Sequence, residues 1–347
     1  MGLLKSIFKG NQNTQTKPLH KVDGTIQDLV LLCIAEDFMV GENKYPDYLQ
    51  SRFGIDSPKK QLQNLEKRGY IRPSTSIESL SHLKAAELKS IASMFELKTS
   101  GKKEDLCNRI AENVTEEVLK GIIKKKYWII TENGKALLDE NKHIGFYMEK
   151  HPYSLEAAGL DIASYAKLFS GKHNGRIRDV VWGELNKKSI EYYSAAMSTG
   201  KFFDYCEVLH TMAMFLEEEN RHRDALAAYM RYIHYRSNFE AGLPAIKNYS
   251  LLGKVNDAAD RLFLYAEILP FIADEIQTIS NGCGFDTDQL RTFMRDAFSR
   301  ENDTGVFSPD ELTEFVMCGL KKDQAGQKRI CKTVMKSAAM KLPKKKS

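Results

Sequence analysis

The most constraining feature of this 347-residue chain is a pair of short amphipathic segments separated by a turn that contains lysine. Apolar residues recur at helical spacing through the first segment and, after a short break, through the second. They are Leu80, Leu83, Leu88, Ile91, Ala92 and Phe95 in the first segment, and Leu106, Ile110 and Val114 in the second. The spacing therefore predicts two short helices joined by a turn.

The turn itself has a sequence suited to an anion. It consists of Lys98, Thr99, Ser100, Gly101, Lys102 and Lys103. Gly101 permits a tight backbone turn, and Ser100 is expected to cap the second helix. Lys102 and Lys103 then lie at a helix N-terminus, where backbone N–H groups already favour negative charge. The pattern predicts a corner that faces phosphate, and the alternative is an ordinary solvated turn.

These residues resemble the SAP motif, a module of two helices and an extended loop that is associated with DNA binding. The resemblance rests on Leu83, on residues 87–89 and 97–106, and on Arg109 and Ile110. It implies that residues 98–103 contact DNA. Arg109 is a further DNA-binding candidate, although its spacing from Glu112 favours an ion pair. Glu96 stands where the family usually carries a glycine, and its charge is expected to weaken DNA contact.

The flanking sequence resembles a winged-helix domain. Apolar spacing and turn residues predict helices over residues 26–36, 45–53 and 58–69. A short strand over residues 70–72 follows, but its partner, residues 127–131, comes only after the SAP-like stretch. We therefore predict a winged-helix domain over residues 20–142, with the SAP-like module inserted into the wing at residues 77–114.

In a helix-turn-helix the second helix enters the major groove, and here that helix starts at Pro58. Its expected DNA contacts are Lys59, Lys60, Gln63, Asn64 and Lys67, with Ser57 reaching a phosphate. Gln63 or Asn64 could pair with an adenine edge.

A second lysine run extends the basic surface through Lys124, Lys125 and Lys126. Four to six phosphate contacts would give a log–log salt slope of roughly −4 to −5. A winged helix that docks a protein is the alternative.

Residues 143–320 are predicted to form an α-helical domain. Residues 220–229 align with residues 253–262 at an offset of 33, close to the tetratricopeptide period of about 34. Residues 252–270 resemble the latter part of such a repeat, whereas Asn220 replaces the glycine in the first copy. Because two partial repeats are too few for a solenoid, flanking helices are expected. The domain is predicted to hold a peptide, a subunit or a second copy, with an ordinary helical bundle as the alternative.

Composition excludes several classes of protein. The six cysteines include no CxxC pair, which indicates reduced thiols in a cytoplasmic protein, with neither a disulfide framework nor a zinc site. No run reaches the roughly 18 apolar residues that a membrane span requires. His222-Arg223-Asp224 resembles a kinase catalytic triplet, but the other kinase motifs do not accompany it. Residues 302–311 resemble a calcium-binding loop but depart from its spacing, and Ser308 is instead expected to cap a helix. No enzyme activity, metal or cofactor is therefore predicted.

The two ends of the chain differ from its middle. Residues 1–19 form an amphipathic segment and a linker, and Gly2 and Ser6 fit a myristoylation pattern. Residues 321–347 form a lysine-rich tail, which is predicted to be a basic amphipathic helix. Such a helix is expected to bind DNA, an anionic membrane or an acidic protein surface. The net charge of +5 is compatible with a nucleic-acid partner.

Together these patterns predict a mainly α protein. A winged helix with an inserted SAP helix-loop-helix module is followed by an α-helical, tetratricopeptide-like domain and a basic tail. The predicted function is non-catalytic DNA binding with a protein-interaction domain, as a regulator or adaptor in DNA transactions. In this respect the chain resembles SAP-containing proteins of bacteria and their mobile elements. The alternative is a protein scaffold, and the sequence leaves the oligomeric state open.

Overall fold

The computed structural model describes residues 24–150, 152–170, 175–301 and 305–341, and in these ranges the fold is mainly α, as predicted. The predicted segment 1–19, the loop at residues 171–174 and the terminal lysines at residues 344–346 lie outside them. Contacts divide the described chain into two units. Unit 1 runs to residue 150 and includes residues 162–170, and unit 2 contains residues 152–161 and those from 175 onward. The sequence predicted a division after residue 142, which here falls inside a helix of unit 1.

The described part of unit 1 begins with three helices. They are α1 (Gly24–Cys33), α2 (Tyr48–Phe53) and α3 (Pro58–Lys67), with a 3₁₀ turn at Ala35–Asp37 after α1. Leu31 of α1 and Leu62 and Leu65 of α3 are fully buried, so the apolar face of each helix points to the core. The second helix begins later than predicted. Tyr45 precedes a proline, which disfavours helical backbone at that residue, and the helix starts only at Tyr48.

A two-stranded antiparallel sheet joins the two sides of the inserted segment. Strand β1 (Ile71–Pro73) pairs with β2 (Trp128–Ile130), and Ile71 lies opposite Ile130. The predicted pairing of strands that flank the insertion is therefore confirmed. Met39 adds an isolated bridge to Tyr127, which the sequence did not predict.

The insertion is a set of short helices with its own core. In chain order it contains α4 (Ser76–Ser79), a 3₁₀ turn at Leu80–His82, α5 (Ala85–Met94), α6 (Lys103–Asn113) and α7 (Glu116–Ile122). The predicted apolar residues of the two segments are buried except Phe95, which is partly buried against them. Leu119 and Ile123 from the α7 segment complete the cluster. Two predicted helices are thus confirmed, and α4 and α7 are added.

After β2 the chain completes unit 1 with three more helices. They are α8 (Glu132–Glu140), α9 (Lys142–Lys150) and α11 (Ile162–Leu168). Thr131 caps α8, because its hydroxyl accepts a hydrogen bond of 3.2 Å from the Gly134 N–H. The α9 helix packs on α1, and Tyr165 of α11 donates a hydrogen bond of 2.9 Å to the His143 carbonyl.

Unit 2 is entirely helical in its described part. Its helices are α10 (Pro152–Ala157), α12 (Ile177–Thr199), α13 (Phe203–Glu218), α14 (His222–Tyr235), α15 (Gly242–Leu252), α16 (Val255–Ala266), α17 (Pro270–Gly282), α18 (Thr287–Ser299), α19 (Pro309–Leu320) and α20 (Gln324–Lys341). Ser308 caps α19 as predicted, since its hydroxyl accepts a hydrogen bond from the Glu311 N–H.

The two segments that align in sequence occupy equivalent turns. Asn220 and Gly253 both have positive φ, at 58° and 68°, and each lies in the turn of a helical hairpin. Asparagine tolerates this conformation better than most residues, which explains its place in the first copy. The hairpins are not separated by a further turn, however. A π-helix at Arg236–Ala241 joins α14 directly to α15. This continuous helix differs from the turn that separates successive tetratricopeptide repeats.

The start of the lysine-rich tail belongs to unit 2. Helix α20 packs along α16, and its side chains Cys331, Val334 and Met335 are buried in the main core. The sequence predicted a separate tail from residue 321, but up to residue 341 the chain is the last helix of the unit. Its lysines were predicted correctly as one face of an amphipathic helix, because Lys328, Lys332 and Lys336 are exposed.

All six cysteines are free thiols. Among the described residues, no group of three or more His, Cys, Asp and Glu side chains is placed to hold a metal ion. No helix in the same part of the chain has the length and apolarity needed to cross a bilayer.

Candidate nucleic-acid interface

Helix α5 ends in a turn that forces the next residue into a left-handed conformation. The Leu97 N–H donates to the Ala92 carbonyl at 2.9 Å, and the Glu96 N–H donates to the Ser93 carbonyl at 3.2 Å. This pair of bonds is the Schellman motif, which usually places glycine at the position that Glu96 occupies. Glu96 has φ of 55°. The left-handed backbone therefore explains why the SAP motif usually carries glycine at this position. Glu96, which has a side chain, is strained there.

Arg109 holds the loop that follows. Its Nη1 atom donates to the Lys98 carbonyl and, at 3.2 Å, to the Ser100 carbonyl. The predicted ion pair with Glu112 is wrong, because the guanidinium is directed at the loop backbone. Gly101, with φ of 122°, provides the turn that the sequence predicted. Arg109 thus fixes the loop from beneath, and its half-buried side chain supports rather than extends the exposed surface.

The start of α6 is left open for a ligand. The predicted Ser100 cap is wrong, since Lys102 is the N-cap residue. Among the residues that the structure describes, no side chain accepts a bond from the first helical N–H groups. Asp105 instead accepts the Lys102 N–H through its carboxylate at 2.8 Å. The Lys102 and Lys103 side chains are exposed, and neither forms an ion pair within the described residues. Free amines and free N–H groups therefore lie together at one helix terminus.

Acidic residues limit the net charge of this corner. Three lysines, Lys98, Lys102 and Lys103, are matched by three nearby carboxylates in the sequence, those of Glu96, Glu104 and Asp105. Because these formal charges cancel and Arg109 adds only one further positive charge, long-range attraction of a polyanion is weak. Any phosphate must be held by directed contacts with individual amines and N–H groups.

Comparison with known families identifies this segment. The family model of the SAP domain matches residues 79–115. Residues 79–115 form a SAP domain. This agrees closely with the predicted limits of 77–114, and the family suggests nucleic-acid binding. The chain as a whole has no match among curated proteins or solved structures.

The three lysines that follow the SAP domain, Lys124 to Lys126, have hydrogen-bond or ion-pair partners within the chain. Lys126 donates to the Ser76 hydroxyl at 3.3 Å and lies 4.0 Å from the Glu116 carboxylate. Lys125 lies 3.8 Å from Glu87, and Lys124 donates to the carbonyl of residue 120 at 3.2 Å. The sequence placed all three on the DNA surface. Their amines instead brace the base of the SAP domain, so they are poorer candidates for phosphate contact.

Glu116 ties the two ends of the SAP segment together. Its carboxylate accepts the Ser76 and Ile77 N–H groups at 2.6 and 2.8 Å, which satisfies the N-terminus of α4. Burial raises the pKa of Glu116, but the two N–H donors outweigh burial, so the pKa lies below its usual value. The carboxylate stays ionised and clamps α7 to α4.

His82 belongs to the SAP domain and contacts the chain just before β2. Its ring stacks on Tyr127 with centroids 4.1 Å apart. Burial lowers the pKa of His82, and the positive charge of Lys103 lowers it further, against the opposing effect of Glu36 and Asp37. Sequence patterns missed His82, because no local signal links it to a residue 45 positions away.

The predicted contacts on α3 form a second exposed face. The residues Ser57, Lys59, Lys60, Gln63, Asn64 and Lys67 are all exposed. Lys59 donates to the Asn43 side chain at 2.8 Å, whereas Lys60 and Lys67 have no ion-pair partner among the described residues. Within that part of the chain, no hydrogen bond or ion pair joins this face to the SAP loop. The structure therefore gathers residues 98–103 around Arg109 and leaves the α3 group as a separate surface.

Proposed function

We propose that this chain is a non-catalytic DNA-binding protein whose SAP domain holds backbone phosphates at the start of α6. One observation carries the proposal: the unpaired amines of Lys102 and Lys103 lie beside uncapped N–H groups, in a loop that Arg109 fixes. A helix N-terminus favours an anion through its N–H groups and its dipole. Because Arg109 already orders the loop, binding costs less conformational entropy than it would for a mobile lysine loop.

The charges limit how strong this binding can be. Lys98, Lys102 and Lys103 provide up to three phosphate contacts, which correspond to a log–log salt slope of about −3. The steeper slope expected from sequence included the lysines at residues 124–126, which have partners within the chain. A shallow slope would therefore indicate that the SAP loop acts alone, and a steep one that further basic residues join it.

The α3 face is the best candidate for a second DNA contact. Unit 1 contains, in chain order, a helix, the bridge at Met39, two helices and two paired strands. This order is typical of a winged helix. In that class the helix corresponding to α3 lies in the major groove. Lys60 and Lys67 would contact phosphates, and Gln63 or Asn64 would pair with an adenine edge. We propose duplex DNA, engaged by both surfaces, as the ligand.

We further propose that unit 2 holds a protein partner, which would make the chain an adaptor or regulator in DNA transactions. Several large apolar side chains of this unit are exposed, including Leu251 at 68% and Leu264 at 67%. Exposed apolar groups of this size favour protein contact when they lie in patches. A scaffold that binds protein through both units is the competing function, and its distinguishing property is the absence of DNA binding.

The deciding experiment is a fluorescence-anisotropy titration of the whole protein with mixed-sequence and AT-rich duplexes at several salt concentrations. The test variant is Lys102→Glu with Lys103→Glu. The matched control is Lys89→Glu with Lys120→Glu, which reverses two exposed charges of the same segment away from the loop. We expect the test variant to lose roughly tenfold or more in affinity and its salt slope to shrink by about 2.

Equal losses in the test and control variants would show that only net charge matters, and would refute the assignment of the α6 corner. An absence of binding by the wild type at low salt would refute DNA binding and favour the scaffold. A preference for AT-rich duplex that disappears in an Asn64→Ala variant would support base contact by α3.

A further inference from the structure

We infer that a groove between α14 and α18 binds an extended peptide segment with an acidic side chain at each end of an apolar stretch. The inference deepens the proposed protein-partner role of unit 2 and depends on that role. It does not depend on DNA binding, which involves residues of unit 1.

The groove is a cavity of about 340 Å³ with apolar side chains between charged ones. Its α14 side includes Arg223, Ala227 and Arg231, and its other side includes Phe293 and Arg300. A second cavity of about 300 Å³ shares Arg223 and continues past Gly282 to Phe285. The rings of Phe285 and Phe293 are 5.5 Å apart, so aromatic surface is continuous between the two cavities.

Two arginines of the groove are free to bind an anion. Arg223 and Arg300 are both exposed, and within the described residues neither forms an ion pair or a hydrogen bond. Arg231 differs, because its Nε atom lies 3.1 Å from Glu301 and its Nη2 atom donates to the Tyr205 hydroxyl at 2.8 Å. The Arg231 network builds the wall of the groove, and the free guanidinium groups remain for a ligand.

The two free arginines lie at opposite ends. Arg300 is adjacent in sequence to Glu301, which is held by Arg231. Arg223 precedes Arg231 by eight residues on the same helix, a rise of about 12 Å. An extended chain covers about 3.3 Å per residue, so two acidic residues that reach both ends are three or four positions apart. The apolar residues between them would lie over Ala227 and Phe293.

Acidic residues in the groove favour a peptide over a nucleic acid. Three carboxylates line it, those of Asp224, Asp296 and Glu301. Asp224 is paired with Arg221 at 2.6 Å and Glu301 with Arg231, whereas Asp296 has no ion-pair partner in the described part of the chain. A nucleic-acid strand carries a charge about every 3.4 Å and would be repelled by Asp296. A peptide with two separated carboxylates places charge only at the arginines.

The test uses a fluorescein-labelled peptide with the core Asp-Leu-Phe-Glu flanked by glycines, titrated with the whole protein and followed by anisotropy. A second peptide with the core Asn-Leu-Phe-Gln keeps the shape and removes both charges. The protein variants are Arg223→Glu and Arg300→Glu. The control is Arg261→Glu, an exposed arginine of unit 2 that is outside the groove.

We expect the wild type to bind the acidic peptide with Kd of about 100 μM and the amide peptide roughly tenfold more weakly. Each groove variant is expected to lose about tenfold, while Arg261→Glu binds as the wild type does. All three variants should retain the circular dichroism and the DNA affinity of the wild type, which separates a failure here from a failure of DNA binding. No binding, equal binding of both peptides, or equal loss in Arg261→Glu would overturn the inference. Displacement by a single-stranded oligonucleotide would assign the groove to nucleic acid instead.

Discussion

Replacing Glu96 by glycine is expected to stabilise the SAP domain although no contact is added. Glu96 has φ of 55° because the last turn of α5 requires a left-handed residue there. For a residue other than glycine, this conformation costs about 1–2 kcal/mol. Glycine avoids that cost but loses about 0.5–1 kcal/mol through the greater freedom of its unfolded chain. The difference is a net gain in the free energy of unfolding of about 0.5–1 kcal/mol.

Urea unfolding followed by tryptophan fluorescence measures this gain. The chain has two tryptophans, Trp128 in β2 beside the SAP domain and Trp182 in unit 2. A Trp182→Phe background therefore makes the signal specific for unit 1. Glu96→Gln serves as the control, since it removes the charge and retains the side chain and its strain. The backbone argument is refuted if Glu96→Gln stabilises unit 1 as much as Glu96→Gly does.

The same variants separate charge from strain in DNA binding. A carboxylate about 10 Å from a phosphate costs roughly 0.4 kcal/mol in water, which is about a twofold change in affinity. Because Glu96→Gly and Glu96→Gln both remove this charge, both are expected to bind duplex DNA about twofold more tightly. A gain restricted to the glycine variant would instead attribute the effect to loop conformation.

Three further predictions concern the contacts that support the site. Arg109→Lys keeps the charge but loses the fork that holds the loop, so DNA affinity is expected to fall about fivefold and amide exchange of residues 98–101 to increase. Glu116→Gln removes a carboxylate that accepts two backbone N–H groups and is expected to cost about 2 kcal/mol in urea unfolding, with Glu117→Gln as the control. The Arg72 guanidinium lowers the pKa of Glu78 from 4.5 to about 2. Above pH 4.5 this ion pair contributes about 1 kcal/mol to the free energy of unfolding, a small value because both side chains are partly exposed. The contribution is lost as the pH falls toward 2 and Glu78 becomes protonated. The acid loss should be absent in Glu78→Gln, and its persistence there would assign it to other groups.

Local patterns predicted much of unit 1. The apolar spacing around Leu88 and Leu106 located α5 and α6, because a helix places residues three and four apart on one face. The pairing of β1 with β2 was also predicted, although the SAP domain separates the strands. The bridge at Met39 was not, because a single pair of bonded residues leaves no periodic signal.

Side-chain partners in the candidate site were harder to predict. Arg109 was expected to pair with Glu112 because the two are neighbours on a helix, yet it bonds to carbonyl groups of the preceding loop. Lys126 was expected to be exposed and instead reaches Ser76, which is 50 positions away in sequence. Sequence spacing identifies neighbours on one element, whereas these partners come from different elements.

The sequence by itself determined that the chain is mainly helical, where an amphipathic helix such as α5 or α6 buries its apolar face, and which stretch is a SAP domain. These properties depend on residue type and on spacing of three or four positions, so they are present in the chain before it folds. Only the tertiary structure decided that Arg109 supports the loop, that Lys124 to Lys126 brace the SAP base, and that α20 completes the core of unit 2. A charged side chain takes the partner that folding brings within reach, and that distance is a property of the packed chain.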